Sequence, residues 1–362
     1  MEKINIDLHN VIPGMITAEP VLSNDKQIIL QSDTEITSHL INLLCKWGVN
    51  YLCIRQVNKK YKRNDDRNTY LIYNEQNEEG AKFLTKYRKI SSKSNSLFEY
   101  LRNNDYLPYD VFYDLAYDDL YQLISEKNIL SYLYKVKPPL DYTYLHAINV
   151  GIIAGLVGRW SGCEEETVKM LILAGLMHDI GKVKIPQTIL ESINPLSGHE
   201  RSLIELHPVY GYHMVKNINN IAPEIQCAIL QHHERDNGCG YPRGLYSNGI
   251  HYFAKIVAVA DVYDAMTSNR IYKDSVTPFD ALEVLVNDMF TQFSGEYCKI
   301  FIRHAISVLT NSTVLLSDKT QAEVLHFGCF MSTKPVVKKI DGTLLDLNRT
   351  DAVSIVEVVK FA

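Results

Sequence analysis

The 362-residue sequence lacks several features of secreted and membrane proteins. Its seven cysteines form neither a C-x-x-C pair nor an even-numbered framework, which argues against a disulfide scaffold and favours a reducing compartment. Its longest apolar runs, near residues 148–158 and 170–177, fall well short of the ~20 residues that span a bilayer. The first ten residues contain no apolar core of the kind found in signal peptides. We therefore expect a soluble cytoplasmic protein with no membrane span.

The sequence also lacks a strong excess of charge, internal repeats and low-complexity tracts. A formal net charge of −5 argues against a long nucleic acid as the partner, although a local basic pocket is compatible with it. Hydrophobic residues make up 46% of the chain and charged residues 22%, which is typical of a folded globular protein. At this length the chain can form two or three compact units.

Changes in composition predict a mainly α-helical protein with a small β module at each end. Near the N-terminus, Asn24-Asp25 stands between two apolar runs, which is a hairpin signal, and Leu40 and Leu44 share one helical face. A polar stretch at 58–74 is typical of a linker or exposed loop, with a basic contact patch as the alternative. The predicted segments are a β-rich module over 1–57, a linker and helical connector over 58–107, a helical domain over 108–305 and a small β module over 306–362.

Several helix starts inside the helical region carry recognisable signals. Ser197 and Glu200 have the spacing of a capping box, in which each side chain binds the backbone N–H of the other residue. Pro223 and Pro278 fit the first position of a helix, where the missing N–H has no intrahelical role. These signals predict helices that begin near residues 198, 223 and 278.

The helical region contains seven ligand-type side chains at or near the ends of otherwise apolar helices. A single histidine in such a place is usually an ordinary polar residue, but the doublets His178-Asp179 and His232-His233 are harder to explain in that way. Imidazole and carboxylate together suit iron, manganese, zinc or nickel, and this set exceeds the needs of one tetrahedral zinc. We therefore predict two metal ions. The candidate ligands are His146, His178, Asp179, His207, His232, His233 and Asp261.

Three motifs resemble the HD-GYP family, a subclass of the HD-superfamily phosphohydrolases that act on cyclic di-GMP. They occur in the family's order and spacing, and the resemblance covers roughly residues 108–305. The N-terminal "IPGMITAEPVL" also resembles a β-rich region often found ahead of HD-GYP domains. The resemblance implies an HD-type helical bundle. The three motifs are "HDIGK" from His178, "HHERDNGCGYP" from His232 and "ADVYDAMTSNRIYK" from Ala260.

The resemblance also implies roles for individual residues. One metal would be held by His146, His178, Asp179 and Asp261. The second would be held by His207, His232 and His233, with Asp179 bridging the two ions. Asp179 and Lys182 would be catalytic, with Lys182 meeting the scissile phosphate. The implied substrate contacts are Lys182, Arg270, Lys273 and the loop residues Gly240, Tyr241 and Pro242.

The expected reaction is hydrolysis of cyclic di-GMP to pGpG, and whether it continues to GMP stays open from the sequence. Two metals roughly 3.5–4 Å apart would lower the pKa of a bridging water from 15.7 towards about 7, so that hydroxide forms at neutral pH. The resemblance favours iron or manganese as the metal. A homodimer, and contact of the GYP loop with a diguanylate cyclase, are the further partners that it implies.

The sequence departs from the family pattern at two places. Tyr142 stands one helical turn before His146, where some family members have a glutamate for a third metal, so we expect two ions rather than three. Asn237 replaces an aspartate of the GYP motif; Asn-Gly can keep the turn, but the negative charge moves to Asp236. Cys239 in the same loop reads as a small filler rather than a nucleophile.

Two alternatives stay open from the sequence. The protein could be a cyclic di-GMP receptor or interaction module with little turnover, which the altered GYP loop and the flanking modules would suit. It could also be an HD phosphohydrolase for another nucleotide, such as cyclic GMP-AMP or a guanosine polyphosphate, because base selectivity is not readable from one chain.

Overall fold

The computed structural model divides the chain into two compact units, Met1–Arg67 and Asn68–Ala362. The residues that it describes are 3–7, 16–22, 28–34, 36, 40, 44, 49, 51–55, 78–125, 128–136, 143–190, 192, 196–268, 276–328, 332–350 and 352–361.

The first unit contains two short antiparallel sheets. Strand β1 (Lys3–Asp7) pairs with β4 (Tyr51–Arg55), and β2 (Val21–Leu22) pairs with β3 (Ile28–Leu30). The pairing of β2 with β3 confirms the predicted hairpin, although Asn24 and Asp25 lie outside the described residues. A small core of Val21, Ile36, Leu44 and Leu52 is buried between these elements. Leu40 and Leu44 are helical as predicted, and residues 41–43 between them lie outside the described residues.

The second unit is mainly helical, which confirms the predicted fold class. Besides its α-helices, it contains a π-helical turn at Leu115–Leu120 and a 3₁₀ helix at Ile180–Lys184. The α-helices are α1 Glu78–Asn103, α2 Tyr109–Asp114, α3 Tyr121–Leu123, α4 Ile129–Lys135, α5 Thr143–Trp160, α6 Glu165–Met177, α7 Gln187–Leu190, α8 Gly198–Ile204, α9 His207–Val215, α10 Pro223–Gln231, α11 Tyr252–Thr267, α12 Pro278–Asp288 and α13 Gly295–Leu309.

The predicted helix starts are confirmed. Ser197 caps α8 in a complete capping box with Glu200: the Glu200 N–H donates to Ser197 Oγ, and the Ser197 N–H donates to the Glu200 carboxylate at 2.8 Å. Helices α10 and α12 begin at Pro223 and Pro278. The start at Pro223 fixes the entry point of α10, whose far end leads directly into His232 and His233.

Helices α5 and α6 form the centre of the unit and pack backbone against backbone. A Cβ added at Gly175 of α6 would lie 2.7 Å from the Cα of Gly151 in α5, so neither residue has room for a side chain on its partner's face. His146 lies five residues before Gly151, and His178 lies three residues after Gly175. The close crossing therefore brings these two histidines together, with ring centroids 5.2 Å apart.

The C-terminal strands form a five-stranded antiparallel sheet, as the β-prone runs predicted. The order is β8-β7-β6-β5-β9, and the inner face shares one hydrophobic core with the helices. Phe327 of this sheet stacks on Phe279 of α12, with ring centroids 6.1 Å apart. The three predicted boundaries between the four segments stay predictions. The strands are β5 Thr313–Leu316, β6 Gln321–Phe327, β7 Pro335–Lys339, β8 Leu344–Asp346 and β9 Ile355–Lys360.

Candidate metal centre

Five separated segments converge on one buried cluster at the inner ends of the central helices. Four histidines, His146, His178, His207 and His232, are at most 3% exposed, and Asp179 is 1% exposed. The structure brings all seven predicted ligands into this cluster. Two groups of ligand atoms each lie within 4.8 Å of one another: Asp179, His207, His232 and His233 form the first, and His146, His178 and Asp179 the second.

One side of the cluster, which we call the carboxylate side, consists of His146, His178 and Asp261. His146 Nε2 lies 3.0 Å from Asp261 Oδ1 and 3.7 Å from Asp179 Oδ2. His178 Nε2 lies 3.4 Å from Asp179 Oδ2 and 4.0 Å from Asp261 Oδ1. Two imidazoles and two carboxylates therefore face a common space.

The opposite side, which we call the imidazole side, consists of His207, His232 and His233. His207 Nε2 lies 3.0 Å from Asp179 Oδ1 and 3.1 Å from His232 Nε2, while His232 Nε2 lies 3.7 Å from the same carboxylate oxygen. Asp179 thus presents Oδ2 to the carboxylate side and Oδ1 to the imidazole side.

Three of the histidines are oriented by the same local hydrogen bond. The Nδ1 atoms of His178, His207 and His232 lie 2.6, 2.7 and 2.9 Å from the backbone carbonyl oxygens of Gly175, Ile204 and Ile229. Each carbonyl belongs to the last turn of the preceding helix, where it has no intrahelical partner. Because a carbonyl only accepts, Nδ1 carries the hydrogen and Nε2 is left with a lone pair that points into the cluster.

These lone pairs make the cluster suited to a cation. His178 Nε2 and Asp179 Oδ1 are buried, and neither atom has a hydrogen-bond partner within the described ranges. The facing Nε2 atoms of His207 and His232 are both acceptors when their Nδ1 atoms donate to carbonyls, so their close approach is unfavourable without a positive charge between them. The donor set and this orphaned, buried geometry fit divalent metal binding.

Electrostatics differ between the two sides. On the carboxylate side, burial acts to lower the pKa of His146, but hydrogen bonds to Asp261 and Asp264 outweigh it and raise that pKa to about 9. On the imidazole side, burial lowers the pKa of His232 to about 4 and also lowers the pKa of His233. Without a metal, His232 and His233 are therefore neutral at pH 7 and able to donate lone pairs.

Asp179 is held as an anion between the two sides. Burial alone would raise its pKa, but the positive charge of Lys182, followed by the effect of His178, holds that pKa well below its usual range. Lys182 Nζ lies 2.5 Å from Asp179 Oδ2, and its side chain is 27% exposed. A cation thus stands between the buried carboxylate and solvent.

The GYP loop forms a wall of the imidazole side. The ring of Tyr241 stacks on His233, with centroids 4.7 Å apart and an interplanar angle of 29°. A Cβ added at Gly240 would lie 2.4 Å from the carbonyl oxygen of His233, so the loop backbone rests directly on the ligand segment. Pro242 follows Tyr241 through a cis peptide bond. The GYP motif therefore packs directly against the candidate metal ligands.

The replacement at Asn237 leaves the turn intact. Its side-chain Oδ1 accepts a hydrogen bond from the Cys239 N–H at 3.0 Å, and Gly238 has a φ of +76°. The neighbouring Asp236 lies 3.6 Å from Lys255 Nζ. Asn237 and Gly238 thus form a turn, as expected, and Asp236 lies near a lysine; preservation of the family's loop geometry stays a prediction.

Sequence reasoning missed three residues that support the site. Asp264 accepts from His146 Nδ1 at 2.8 Å, and Asn149 Nδ2 donates to the other oxygen of Asp264 at 2.8 Å. Both lie three residues after a predicted ligand on the same helix, a spacing that marks one helical face. Buried Glu234 accepts from the N–H groups of Arg243 and Leu245 at 2.7 and 2.8 Å and so fixes the GYP loop.

Some predicted residues lie outside the description. Arg270 and Lys273, the predicted phosphate contacts, fall in residues 269–275, and Tyr142 falls in residues 137–142. Their predicted roles stay predictions. Among the helices that the structure describes, none is long and apolar enough to cross a membrane.

Two curated proteins with related sequences are both cyclic di-GMP phosphodiesterases. A cyclic di-GMP phosphodiesterase, PA4108 of Pseudomonas aeruginosa, is 34% identical over 169 residues, which are 47% of this chain and 41% of that protein. The cyclic di-GMP phosphodiesterase response regulator RpfG of Xanthomonas campestris is 40% identical over 134 residues, 37% of this chain and 35% of that protein. The chain thus spans less than half the length of these curated relatives.

A solved structure shares the fold. Bd1817, an HDG"Y"P protein from Bdellovibrio bacteriovorus, superposes with a TM-score of 0.51 at 17% identity and covers 83% of this chain and 98% of its own. The HD domain family matches residues 111–293, just over half of the sequence. The recognition made from the three motifs is confirmed, and the chain belongs to the HD domain family.

Proposed function

We propose that this protein is a metal-dependent phosphodiesterase that hydrolyses cyclic di-GMP to pGpG, with GMP as an alternative end product. The observation that carries the proposal is the convergence of buried lone pairs from five segments around the two oxygens of Asp179. The names of the two curated relatives support the choice of substrate. Burial of these lone pairs and carboxylates is costly unless a positive charge compensates them, which also favours a bound cation.

Two divalent ions, iron or manganese, are proposed as the cofactors. His146, His178, Asp179 and Asp261 would hold one ion, and His207, His232, His233 and Asp179 the other. When bound, such ions activate water at neutral pH and offset the negative charge of a phosphodiester. Asp179 is the shared ligand in this proposal because its two oxygens face opposite sides of the cluster.

Lys182 is proposed to receive the scissile phosphate. Its ammonium group is partly exposed and touches Asp179, so a phosphate that approaches the cluster from solvent would meet this cation next to the buried carboxylate. As a point charge, lysine can follow the phosphate as negative charge grows on its oxygens. Arg270 and Lys273 are proposed to bind the substrate's phosphates from the segment after α11.

The GYP loop is proposed to contact a substrate base or a protein partner. Tyr241 is half-buried and stacked on His233, which leaves part of its ring facing solvent at the entrance to the cluster. A homodimer and a contact between this loop and a diguanylate cyclase remain predictions from the family resemblance. A cytoplasmic location likewise remains a prediction from cysteine usage.

The test is cleavage by anaerobically purified protein loaded with iron or with manganese. Cyclic di-GMP, cyclic GMP-AMP and a guanosine polyphosphate are each incubated with it, and products are separated by chromatography. Conversion of cyclic di-GMP to pGpG supports the proposal. Cyclic di-GMP that stays intact for hours, with both ions measured in the protein, contradicts the proposal. In that case, tight binding of cyclic di-GMP without turnover would favour a receptor. Selective cleavage of another nucleotide would favour a different phosphohydrolase.

Arg270→Ala provides a matched control in the same assay. The variant is expected to keep both ions and to use substrate poorly, because its proposed contact is with phosphate and not with metal. Loss of metal from this variant would contradict the proposed division of roles.

A further inference from the structure

A chain of buried hydrogen bonds joins helix α1 to the metal centre. The hydroxyl of Tyr87 donates to Asn149 Oδ1 at 2.6 Å, and Asn149 Nδ2 donates to Asp264 Oδ1 at 2.8 Å. The other oxygen of Asp264 lies 2.8 Å from His146 Nδ1. Four side chains from three helices, α1, α5 and α11, thus lead from a tyrosine to a candidate metal ligand.

The chemistry of each group gives the chain one direction. A carboxylate only accepts, so His146 Nδ1 donates to Asp264 and Nε2 faces the cluster. The Asn149 amide must present its NH₂ group to Asp264 and its oxygen to Tyr87. A hydroxyl donor at Tyr87 therefore stabilises one of the two amide orientations, the one that supports Asp264.

Because these hydrogen bonds are buried, the loss of any one of them is costly. Tyr87 is fully buried, and Asn149, Asp264 and His146 are at most 5% exposed, so water does not replace a lost partner easily. The ring of Tyr87 is held in place by Phe83, with centroids 5.5 Å apart. Burial, and then the charge of Asp264, raises the pKa of Tyr87 well above its usual value, so the hydroxyl keeps its proton.

We propose that Tyr87 is a positioning residue for the metal centre, acting through Asn149 and Asp264 on the ring orientation of His146. The proposal rests on the proposed metal-dependent function. Helix α1 lies outside the residues that match the HD domain family, so this support comes from a part of the chain that the family match does not include. Partners behind a metal-binding histidine fix its ring and strengthen its metal bond.

The test measures metal affinity in Tyr87→Phe, which removes only the hydroxyl. Loss of a residue that hydrogen-bonds directly to a metal ligand weakens metal binding about 10- to 100-fold. Tyr87 stands two hydrogen bonds further along the chain, so its loss should raise one stepwise manganese dissociation constant about 3- to 10-fold. The other constant should not change. Competition with a chelator gives both constants, and the melting temperature of the variant shows whether the fold is kept.

Tyr117→Phe is the matched control, because it also removes a tyrosine hydroxyl that donates to a side chain, here Glu166 Oε1 at 2.8 Å, away from the cluster. It should leave both constants unchanged. In a His146→Gln background, Tyr87→Phe should have no further effect on manganese binding, since the chain then ends on an altered ligand.

The outcomes separate this inference from the proposed function. A folded Tyr87→Phe variant with wild-type constants overturns the positioning role and leaves the proposed function intact. An equal loss at both ions, or an undiminished effect in the His146→Gln background, also overturns it. Wild-type protein that binds no metal would instead overturn the proposed function.

Discussion

The carboxylate side of the cluster places Asp261 and Asp264 on the two nitrogens of one imidazole, whereas the imidazole side gathers three rings near one oxygen of Asp179. The first side therefore has negative charge in excess, and the second depends on neutral lone pairs. The contrast also appears in the pKa of His146, raised to about 9, and that of His232, lowered to about 4. Two ions bound here would meet unlike surroundings.

Because of this difference, we expect the two sides to bind their ions with different affinities and to lose them to different extents when a ligand is replaced. Carboxylates give the first side electrostatic attraction that persists when one imidazole is lost. The second side is formed mainly by rings, with Asp179 Oδ1 3.0 Å from His207 Nε2 and Asp261 Oδ2 farther away, 3.9 Å from His233 Nδ1. Substitutions can test that contrast.

The largest effect is expected for Asp179→Asn, because this side chain faces both sides. The variant should lose most of both ions, and cleavage of cyclic di-GMP should fall by more than about 10³-fold, since the activation that metals supply is lost from both sides. Elemental analysis and product chromatography give the two readings. A variant with two ions per chain and near-normal turnover would show that the carboxylate is not shared.

A matched pair of variants compares the sides directly. His178→Ala and His232→Ala each remove a buried ring with the same bond to a helix-end carbonyl, so their structural costs are similar. We expect His232→Ala to lose the ion of the imidazole side, and His178→Ala to keep its ion with at least about 10- to 100-fold weaker affinity. Titration with manganese measures both, and equal losses would contradict the asymmetry.

Glu234→Gln tests the loop that covers the imidazole side. The change removes one of two acceptors for the partly buried N–H groups of Arg243 and Leu245, which costs about 1 kcal/mol and loosens the loop beside His233. We expect both ions to be kept and KM to rise about tenfold. Glu200→Gln, which alters a capping carboxylate elsewhere, should leave KM unchanged. If KM rises in both variants, the position of the GYP loop does not explain the change.

The smallest effect concerns pH and helix α11, which carries Asp261 and Asp264. His251 caps this helix by accepting from the Phe253 N–H at 3.2 Å, and burial lowers the pKa of His251. The unfolded chain therefore binds a proton more readily, so this contribution is present above pH ~6.5 and is lost as the pH falls below it.

His251→Ala should therefore reduce the loss of stability between pH 7 and pH 5, by no more than about 1 kcal/mol, the usual value of a helix cap. Denaturant midpoints at the two pH values measure this. His199→Ala, at an exposed position, serves as the control. An unchanged difference in the His251 variant would mean that the cap does not respond to protonation.

Much of the helical unit was predictable because its signals are local. Apolar residues at helical spacing, the capping box at Ser197 and the prolines at Pro223 and Pro278 each act within a few residues. The ligand doublets could also be found, since adjacent polar residues at the end of an apolar helix need partners. Such signals identify the candidate residues but do not show how far apart these residues lie in the folded protein.

What escaped prediction depends on contacts between distant segments. Tyr87 and Asn149 are 62 residues apart, and no local pattern shows that their helices touch. The pairing of β9 with β5 in the C-terminal sheet is equally long-range. Glu234 was visible within the quoted motif, but its role depends on how the following loop folds back onto it.

The carbonyl bonds behind His178, His207 and His232 have a consequence for metal exchange. Since helix formation itself turns these rings, the entropy of ordering them is lost when the chain folds and not when an ion arrives. One divalent ion can then replace another without refolding of the site. The identity of the bound ion would follow the supply of metals around the protein as much as the ligands themselves.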